Sequence, residues 1–576
     1  MKFSVLTPVF DPPVGALRAA VESVRAQTYP DWELVLVDDA STDAAVKAAL
    51  AEFETLDPRI VVVRRASNGG IGAASQDALQ HASGEFVALL DHDDLLAPHA
   101  LGRAADALAA DPEIDYLYTD EDKVDDTGRH YDTFMKPEWS PERLRGQMYT
   151  AHLSVIRRSI AIEAGGFRLG FDGSQDHDLV LRVTERARRI VHLPEVLYHW
   201  RVVPGSTAGD PRAKTYAWEA GRRAVQDHLD RIGTDGDASL GPLPGTYRIE
   251  RRIPAERTIS IVIPTRGSSG LIWGEQRCFV VEAVRSALEH TDHKNVEIVA
   301  VCDTATPAEV IDELYVIAGD RLTVVEYTEP FNFSRKCNAG FVASQGDVVV
   351  MLNDDVEVIS DRWLENLCGP LEDPTVGLTG ALLYYGDGTV QHAGHLYDRN
   401  EYSHAFLGCD PESTVAFSAL HINREASGVT AACAALRRDT FAAIGGFCED
   451  LPGNFNDVDF CFKIAHAGLR TVWLSNVELF HFESRTRDST VQEWEYKRVH
   501  DRWGSYVIDP MLPLQHGPAR RSRQFAVLLT RAITLYRQGG TRLVLERYRA
   551  RRSRLAMLSA GTVASPSSPE RAARLG

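Results

Sequence analysis

Two segments of this chain share one residue pattern at a spacing of 280 positions. The segment "IRRSIAIEAGGF" (156–167) and the segment "LRRDTFAAIGGF" (436–447) carry an Arg-Arg pair and a Gly-Gly-Phe triplet at matching places. Shortly downstream, "QDHDLVLR" (175–182) matches "NDVDFCFK" (456–463) in two acids, the apolar pattern and the final cation. Internal repetition constrains the fold strongly, because both copies are expected to adopt the same architecture. A duplication is the simplest explanation.

Short apolar runs alternate with helical patterns along both copies. The runs that we assign to strands cover residues 3–6, 34–37, 60–63, 86–90, 259–263, 296–301, 322–325 and 348–352. Alternation of this kind predicts βαβ units that feed a mostly parallel sheet buried on both faces. The sequence therefore predicts an α/β fold with two tandem domains.

Changes in composition predict where the domains begin and end. We place one domain at residues 1–231, called the first repeat, and the other at 257–510, called the second repeat. Residues 232–256 are rich in glycine and proline and lack periodicity, so we predict a linker there. An arginine-rich helical segment is predicted at 511–558, and a polar tail that we expect to be disordered follows at 559–576.

Composition and charge exclude several classes of protein. The net charge of -19 argues against general affinity for nucleic acid, which depends on neutralising phosphates. No run approaches the ~20 apolar residues that a membrane-spanning helix requires. The first residues enter an apolar strand pattern at once, without the parts of a secretion signal. We therefore expect a cytoplasmic protein.

Acidic and polar residues follow equivalent strands in both repeats. They are Asp38, Asp39, Asp91, His92, Asp93 and Asp94 in the first repeat, and Asp303, Asn353, Asp354 and Asp355 in the second. Ligands of parallel α/β sheets bind outside the carboxyl ends of the strands. An Asp-x-Asp pair places both acids on one side, which suits Mg²⁺ or Mn²⁺. The alternative is a set of helix caps and turns, but recurrence in both repeats favours a ligand site.

The ordered motifs resemble a known family, the inverting glycosyltransferases of family 2 with the GT-A fold. In detail the chain is similar to tandem-domain bacterial enzymes that build O-antigen, rhamnan and related surface polysaccharides. The matching strings are "TPVFDPP", "VDDAS", "NGGIGAA", "LLDHDDLL", "YTDEDKVD", "KPEWSPERL", "GSQDHDLVLRV", "PEVLYHWR", "IPTRG", "PFNFSRKCNAG", "LNDDVEVIS", "DGTVQHAG", "FNDVDFCFK" and "FHFES". They cover nearly all of residues 2–505 in two copies. The resemblance implies two tandem GT-A domains followed by the basic helical segment.

The resemblance also implies roles for matching residues in the two repeats. The residues implied in binding the nucleotide sugar are Thr7, Pro8, Asp38, Asp91, Pro264, Asp303, Asn353 and Asp354. The residues implied in holding a divalent cation, Mn²⁺ or Mg²⁺, are Asp93, His199, Asp355 and His481. Asp176 and Asp457 match the catalytic base.

The implied chemistry is consistent with these residue types. A sugar hydroxyl is a poor nucleophile, so a carboxylate must accept its proton during attack on the anomeric carbon. The departing nucleoside diphosphate gains negative charge, which a metal ion offsets. Alternatively, Asp176 and Asp457 cap the helices that follow them, and His199 and His481 are core histidines.

Partners follow from the same resemblance. The expected donor is a dTDP- or UDP-linked sugar, and the expected acceptor is a glycan or a lipid-linked glycan. Between Arg520 and Arg554 the chain has eleven arginines and one acid, interleaved with apolar runs. Such a segment can lie on an anionic membrane surface, which would make the protein peripheral to the inner face of the cell membrane. The alternative is a helix that packs on the catalytic domains or forms a dimer contact.

The second repeat departs from the family pattern. Asn353 replaces the first acid of the metal motif, and Lys336 stands where relatives more often carry small or amide residues. We expect both domains to be active, and the alternative is that one serves as an acceptor-positioning scaffold. A nucleotidyltransferase would usually need a glycine-rich basic loop after the first strand, which neither "TPVFDPP" nor "IPTRGSSG" supplies convincingly.

Two further sets of residues are candidates for contact with the acceptor. Asp120 to Lys123 are expected beside the acceptor groove, or else in a solvated charged turn. Trp139, Trp200 and Trp473 could stack on sugar faces, although burial in the core is the better expectation for each.

Overall fold

A computed structural model of the chain describes residues 1–202, 215–398, 401–414, 417–482, 491–504 and 509–513. Residues Met1–Leu514 form one compact unit. No helix within the described ranges combines the length and apolar character needed to cross a membrane. The predicted basic segment and polar tail lie outside the described residues, apart from 511–513, and remain predictions.

The first repeat is an α/β domain built on one large sheet. Its strands are β1 (Phe3–Val9), β2 (Trp32–Asp38), β3 (Ile60–Arg64), β4 (Phe86–Leu89), β5 (Leu95–Leu96), β6 (Ile114–Val124), β7 (His130–Phe134), β8 (Ser154–Arg157) and β9 (Arg189–Arg201). Its helices are α1 (Val14–Arg25), α2 (Ala44–Leu56), α3 (Ile71–His81), α4 (Ala100–Ala110), α5 (Pro141–Gly146), α6 (Arg158–Glu163), α7 (Gln175–Thr184) and α8 (Thr215–Ile232).

Parallel strands form one side of this sheet. The strand order is β3-β2-β1-β4-β8-β6-β9-β5, with β7 paired to β6. Strands β1 to β4 pair in parallel, whereas β8 runs antiparallel to both β4 and β6. Helices cover both faces, so β1 and β2 are almost entirely buried and read as continuous apolar runs. The loops at the carboxyl ends of β1, β2 and β4 therefore meet at one edge.

The second repeat begins after a β-hairpin formed by β10 (Gly236–Leu240) and β11 (Tyr247–Arg251). Its strands are β12 (Ile259–Thr265), β13 (Ser269–Ile272), β14 (Glu275–Cys278), β15 (Val296–Asp303), β16 (Leu322–Tyr327), β17 (Val348–Leu352), β18 (Val356–Val358), β19 (Val376–Tyr384), β20 (Val390–His392), β21 (His395–Asp398), β22 (Glu401–His404), β23 (Arg424–Glu425), β24 (Cys433–Arg437) and β25 (Arg470–His481). Its helices are α9 (Phe279–Glu289), α10 (Ala308–Ala318), α11 (Phe333–Ala343), α12 (Trp363–Cys368), α13 (Arg438–Ala443), α14 (Asn456–His466) and α15 (Glu493–Trp503), with 3₁₀ turns at Gly319–Arg321 and Gly369–Glu372.

The two repeats have the same sheet topology. The second sheet has the order β16-β15-β12-β17-β24-β19-β25-β18, which matches the first strand for strand. The repeated Gly-Gly pairs end equivalent helices, and all four glycines have positive φ, as the backbone requires at that turn. The prediction of two α/β domains with central parallel strands is thus confirmed, and antiparallel strands extend each sheet.

The segment predicted as a linker, residues 232–256, contains the hairpin of β10 and β11. Its side chains Ala238, Tyr247 and Ile249 are buried in the core of the first repeat. The alternation of buried and exposed residues along β11 is the pattern of a strand with one covered face. The hairpin within this segment is therefore packed against the first repeat.

Candidate functional site

In the first repeat, the candidate residues lie at or directly after the carboxyl ends of β1, β2 and β4. Thr7 and Pro8 lie on β1, where Pro8 pairs with Val37 and Val9 pairs with Asp38. The Asp38 carboxylate accepts a hydrogen bond of 2.9 Å from the Ser41 N–H. The structure therefore brings the predicted nucleotide-binding residues of β1 and β2 side by side.

The acids after β4 form a strongly charged cluster. Asp94 is fully buried and accepts hydrogen bonds from the Tyr198 hydroxyl at 2.5 Å and from the Arg201 N–H at 2.7 Å. Burial raises the pKa of Asp94 well above its usual range, and the charges of Asp91 and Asp93 add to that rise. Burial likewise raises the pKa of Asp93. A bound cation would relieve this concentration of negative charge.

One possible cation-binding group lies within this cluster. Asp91, Asp94 and His152 each offer a ligand atom, and these atoms lie within 4.8 Å of one another. The His152 ring stacks on Tyr198 with centroids 4.5 Å apart. Two carboxylates and an imidazole are suitable ligands for Mn²⁺. Sequence reasoning missed His152, because no motif of the first repeat singles it out.

The predicted metal ligand His199 lies in a second such group. Its Nδ1 atom is 2.6 Å from Asp122 Oδ1, and Asp122 Oδ2 is 3.0 Å from His130 Nδ1. These three residues also have ligand atoms within 4.8 Å of one another. The family resemblance implies that His199 and Asp93 hold one cation, whereas in the structure His199 contacts Asp122 and His130. Asp122 belongs to the charged string expected beside the acceptor groove.

In the second repeat, a lysine side chain contacts the residues at the equivalent strand ends. Lys336 on α11 places its Nζ atom 2.5 Å from Asp303 Oδ1 and 3.0 Å from the carbonyl oxygen of Thr265. The Thr265 hydroxyl in turn donates to Asp354 Oδ2 at 2.7 Å. Burial and the neighbouring Asp355 raise the pKa of Asp354 to about 7. Lys336 thus neutralises the aspartate that corresponds to Asp38.

The predicted metal ligands of the second repeat do meet. His481 Nε2 lies 3.1 Å from Asp355 Oδ1 and 3.2 Å from Asn353 Nδ2. The Nδ1 atom of His481 is 2.7 Å from Gln391 Oε1, which is an acceptor, so Nδ1 carries the proton. In the neutral ring, Nε2 therefore presents a lone pair.

This arrangement fits a divalent cation. Two ligands at right angles about an ion with bonds of about 2.1 Å lie about 3 Å apart, close to the separation of His481 Nε2 and Asp355 Oδ1. The side-chain oxygen of Asn353 is buried, and no residue of the described ranges donates a hydrogen bond to it. A buried acceptor in this state suits a cation or a ligand hydroxyl.

A cluster of three histidines, His392, His395 and His404, lies on one side of the candidate base of the second repeat. His392 is fully buried, and its Nε2 atom accepts a hydrogen bond of 3.2 Å from the Thr430 N–H, so its Nδ1 carries the proton and donates to His404 Nδ1 at 2.6 Å. His395 places Nε2 3.7 Å from Asp457 Oδ2. The string "DGTVQHAG" contains His392, but sequence reasoning did not assign its histidine a role.

The two candidate bases have opposite electrostatic surroundings. Asp176 and Asp457 both lie in the first turn of matching helices, α7 and α14. Burial raises the pKa of Asp176, and His152 offsets part of that rise. Burial also acts to raise the pKa of Asp457, but the hydrogen bond and charge of His395, together with His404, lower it well below its usual range.

Comparison with known proteins identifies the same duplication. The family model described as glycosyl transferase family 2 matches residues 4–171 and again residues 260–445, which together exceed half of the chain. The two matches contain the acids that follow the sheet strands in each repeat.

Relatives extend the similarity along most of the chain. The uncharacterized protein y4gI of Sinorhizobium fredii (strain NBRC 101917 / NGR234) is 39% identical over 522 residues, covering 88% of this chain and 56% of that protein. The O-antigen biosynthesis protein RfbC of Myxococcus xanthus is 34% identical over 508 residues, covering 88% of this chain and 39% of that protein. The chain thus spans about half the length of these relatives or less.

Among solved structures, that of S. aureus TarS 1-349 in complex with UDP is similar at 23% sequence identity and a TM-score of 0.32. The match covers 40% of this chain and 65% of that one. The paired family matches, together with the duplicated sheets and acid-bearing loops, show that this chain belongs to glycosyl transferase family 2.

Proposed function

We propose that both repeats are catalytic and that the chain transfers two sugars from nucleotide-sugar donors to a growing bacterial surface glycan. One observation carries this proposal: each repeat holds a partly buried aspartate, Asp176 or Asp457, in the first turn of equivalent helices in the same fold. A scaffold domain would have no need of a carboxylate at that position in both repeats.

In each site the aspartate acts as the general base. It accepts the proton of an acceptor hydroxyl while that oxygen forms a bond to the anomeric carbon of the donor sugar. The bond from the anomeric carbon to the diphosphate oxygen breaks on the opposite side, so the configuration inverts.

A divalent cation, Mn²⁺ or Mg²⁺, is part of the proposal. In the second repeat Asp355 and His481 would hold it, and their 3.1 Å separation suits neighbouring ligands. In the first repeat Asp91, Asp93 and Asp94 supply the carboxylates, with His152 or His199 as the imidazole. When bound, the cation would stabilise the negative charge of the departing nucleoside diphosphate.

The partners follow from family membership. A dTDP- or UDP-linked sugar is the proposed donor, bound along the loops after β1, β2 and β4 and their counterparts. A glycan or lipid-linked glycan is the proposed acceptor, in keeping with the name of the Myxococcus relative. Contact with an anionic membrane through residues 511–558 would suit a lipid-linked acceptor.

A specific observation supports the alternative in which only the first repeat is catalytic. Lys336 forms an ion pair with Asp303, the aspartate expected to recognise the nucleotide base. If that pair persists in solution, the second repeat binds nucleotide poorly and acts as an acceptor-positioning scaffold.

Nucleotide stoichiometry tests the proposal. Titration of the full chain with UDP or dTDP in the presence of Mn²⁺ should show two binding sites by calorimetry. Asp91→Ala should remove one of them and Asp355→Ala the other, whereas Asp106→Ala, on the exposed side of α4, should remove neither. A single site that is sensitive only to Asp91→Ala would overturn the proposal in favour of the scaffold alternative.

A further inference from the structure

The second repeat carries an inserted hairpin at its ligand edge. In the first repeat only residues 10–13 separate β1 from α1, whereas residues 266–278 separate β12 from α9 and form the hairpin of β13 and β14. This connection leaves the carboxyl end of the first strand, where ligands of such sheets bind. The insertion therefore adds a surface at the candidate site that the first repeat lacks.

The tip of this hairpin is an unusual place for a tryptophan. Trp273 and Gly274 have φ values of 51° and 83°, as in a two-residue turn that needs positive φ at both positions. Gly, Asn and Asp are the residues that adopt this conformation at low cost, and a bulky residue there is strained. Turn formation alone does not explain the choice of tryptophan.

The Trp273 indole is fixed in place but half exposed. Its Nε1–H donates to Glu357 Oε2 at 2.8 Å, and its ring packs edge to face against Phe480 and Phe482 with centroids 4.8 and 5.6 Å away. Trp273 is nevertheless 50% exposed. Three contacts thus orient the ring while much of its surface faces solvent.

Trp273 contacts residues that lie next to the proposed metal ligands in the sequence. Glu357 pairs with Phe480 between β18 and β25, and the adjacent pair is Val356 with His481. The Phe482 N–H donates to the carbonyl oxygen of Asp355 at 2.9 Å. The indole is therefore anchored to β18, which Asp355 directly precedes, and to the end of β25, whose last residue is His481.

We propose that Trp273 is a sugar-binding platform of the second repeat, on which one face of a pyranose ring stacks. An oriented, half-exposed indole offers a flat apolar surface that suits the C–H face of a sugar, and Glu357 is an acceptor for sugar hydroxyls at its edge. The sugar belongs either to the donor or to the acceptor. This inference rests on the proposed function of the second repeat.

Fluorescence quenching tests binding without activity. Trp273→Asn suits the turn and removes the ring, Trp273→Phe keeps an aromatic ring, and Trp494→Ala removes a tryptophan of similar exposure, 49%, on α15. The difference in acrylamide quenching between wild type and Trp273→Phe isolates the Trp273 signal. UDP-glucose, dTDP-rhamnose, methyl glucoside and methyl rhamnoside are the sugar probes, and UDP and dTDP are the controls.

We expect at least one sugar probe to reduce quenching of Trp273 to about half, because a stacked ring covers one indole face. The nucleotides alone should leave it unchanged. Protection by the methyl glycosides indicates an acceptor sugar, and protection only by the sugar nucleotides indicates a donor sugar. Absence of protection by every sugar probe, or equal protection by UDP and dTDP, would overturn the proposal.

Transfer kinetics provide the second readout, measured in the Asp176→Asn background so that only the second repeat acts. Trp273→Asn should raise the KM for the stacked sugar about three- to tenfold with little change in kcat, while Trp273→Phe keeps most of the affinity. Trp494→Ala should behave as wild type. If Asp176→Asn alone abolishes transfer, the proposed activity of the second repeat is wrong. The quenching result still decides whether a sugar stacks on Trp273.

Discussion

At the scale of single residues, the two candidate bases differ more than their sequence contexts suggest. Asp176 and Asp457 occupy matching helix starts, yet the pKa of Asp176 is raised and that of Asp457 is lowered. Burial acts to raise both pKa values, but His152 offsets only part of the rise at Asp176, whereas His395 and His404 outweigh it at Asp457. The two sites should therefore respond differently to acid.

The first prediction compares their pH profiles. A general base acts only when it is deprotonated, so a raised pKa moves the acid limb of the rate profile to higher pH. Transfer by the Asp457→Asn chain, which reports the first site, should fail on acidification before transfer by the Asp176→Asn chain. Initial rates of nucleoside diphosphate release should be measured from about pH 4, near the ordinary pKa of a carboxyl group, to about pH 8. Coincident acid limbs would contradict it.

The second prediction isolates the contribution of His395. In the Asp176→Asn background, His395→Gln removes the imidazole beside Asp457 and should move the acid limb of the second site to higher pH. His290→Gln is the matched control, because His290 pairs with Asp361 at 2.8 Å on the surface. An unchanged acid limb in His395→Gln would show that His395 does not lower the pKa of Asp457.

At the scale of secondary-structure elements, the hairpin of β10 and β11 is packed tightly against α8. A Cβ atom added at Gly221 would lie 1.7 Å from the Tyr247 hydroxyl oxygen and 3.0 Å from Ser174 Oγ. Ser174 precedes α7, the helix that carries Asp176. Gly221 is therefore required by close approach rather than by backbone conformation.

The third prediction uses this contact. Gly→Ala within a helix usually stabilises by about 1 kcal/mol, but overpacking a core costs about 1–3 kcal/mol. Gly221→Ala should therefore lower the free energy of unfolding, as measured by urea denaturation. Gly15→Ala in α1 is the matched control, because a Cβ there meets no atom within 4 Å. Greater stability of Gly221→Ala than wild type would contradict the packing described for Tyr247.

The sequence predicts the central parallel strands, because each is a continuous apolar run. The buried parallel strands β1 and β12 appear as uninterrupted apolar runs, and the structure confirms both. The glycines and prolines of residues 232–256 predict a linker, whereas the burial of Tyr247 and Ile249 in that segment depends on contacts with the core of the first repeat. Local composition cannot report a partner that is distant in sequence.

The candidate site was predictable where residues directly follow strands. The family resemblance implies that Asp355 and His481 hold one cation, and in the structure His481 Nε2 lies 3.1 Å from Asp355 Oδ1. His395 and His404 were not identified, because they lie on the separate hairpin of β21 and β22 and reach Asp457 only through folding. The Asp122 contact of His199 depends in the same way on the register of β6 with β9.

At the scale of the whole molecule, buried charges join the two repeats. Glu425 of the second repeat accepts hydrogen bonds from Ser140 and from the Glu142 N–H of the first, and it forms an ion pair with Arg470. The Glu142 carboxylate accepts hydrogen bonds of 2.9 Å from both Arg145 and Arg251. These contacts meet at α5, which also receives a hydrogen bond from His177, the neighbour of Asp176.

The fourth prediction concerns the stability of this interface. Glu142→Gln leaves Arg145 and Arg251 without their carboxylate, and breaking a buried ion pair in this way costs about 3–5 kcal/mol. Urea denaturation should show a loss of that order. Glu219→Gln, whose half-exposed carboxylate pairs with Arg222 within α8, is the control and should change stability by about 0.5 kcal/mol or less. Equal effects of the two variants would contradict a buried network.

The pKa of the Glu142 carboxyl group also makes the free energy of unfolding depend on pH. Burial acts to raise the pKa of Glu142, but Arg251 and Arg145 lower it to about 2. A lowered folded-state pKa contributes stability that is complete above the ordinary value of 4.5 and is lost as the pH falls towards 2. Denaturation curves between these limits should show this loss in the wild type and a smaller loss in Glu142→Gln. Identical pH dependence in both would contradict the assignment.

The central claim is that each repeat forms its own glycosidic linkage. Linkage analysis of the glycan made by wild type, Asp176→Asn and Asp457→Asn chains from the same donors and acceptor tests it most directly. The account predicts two linkages in the wild-type product, with each variant losing a different one. A product that is unchanged by Asp457→Asn and abolished by Asp176→Asn would contradict the claim and leave the second repeat without a catalytic role.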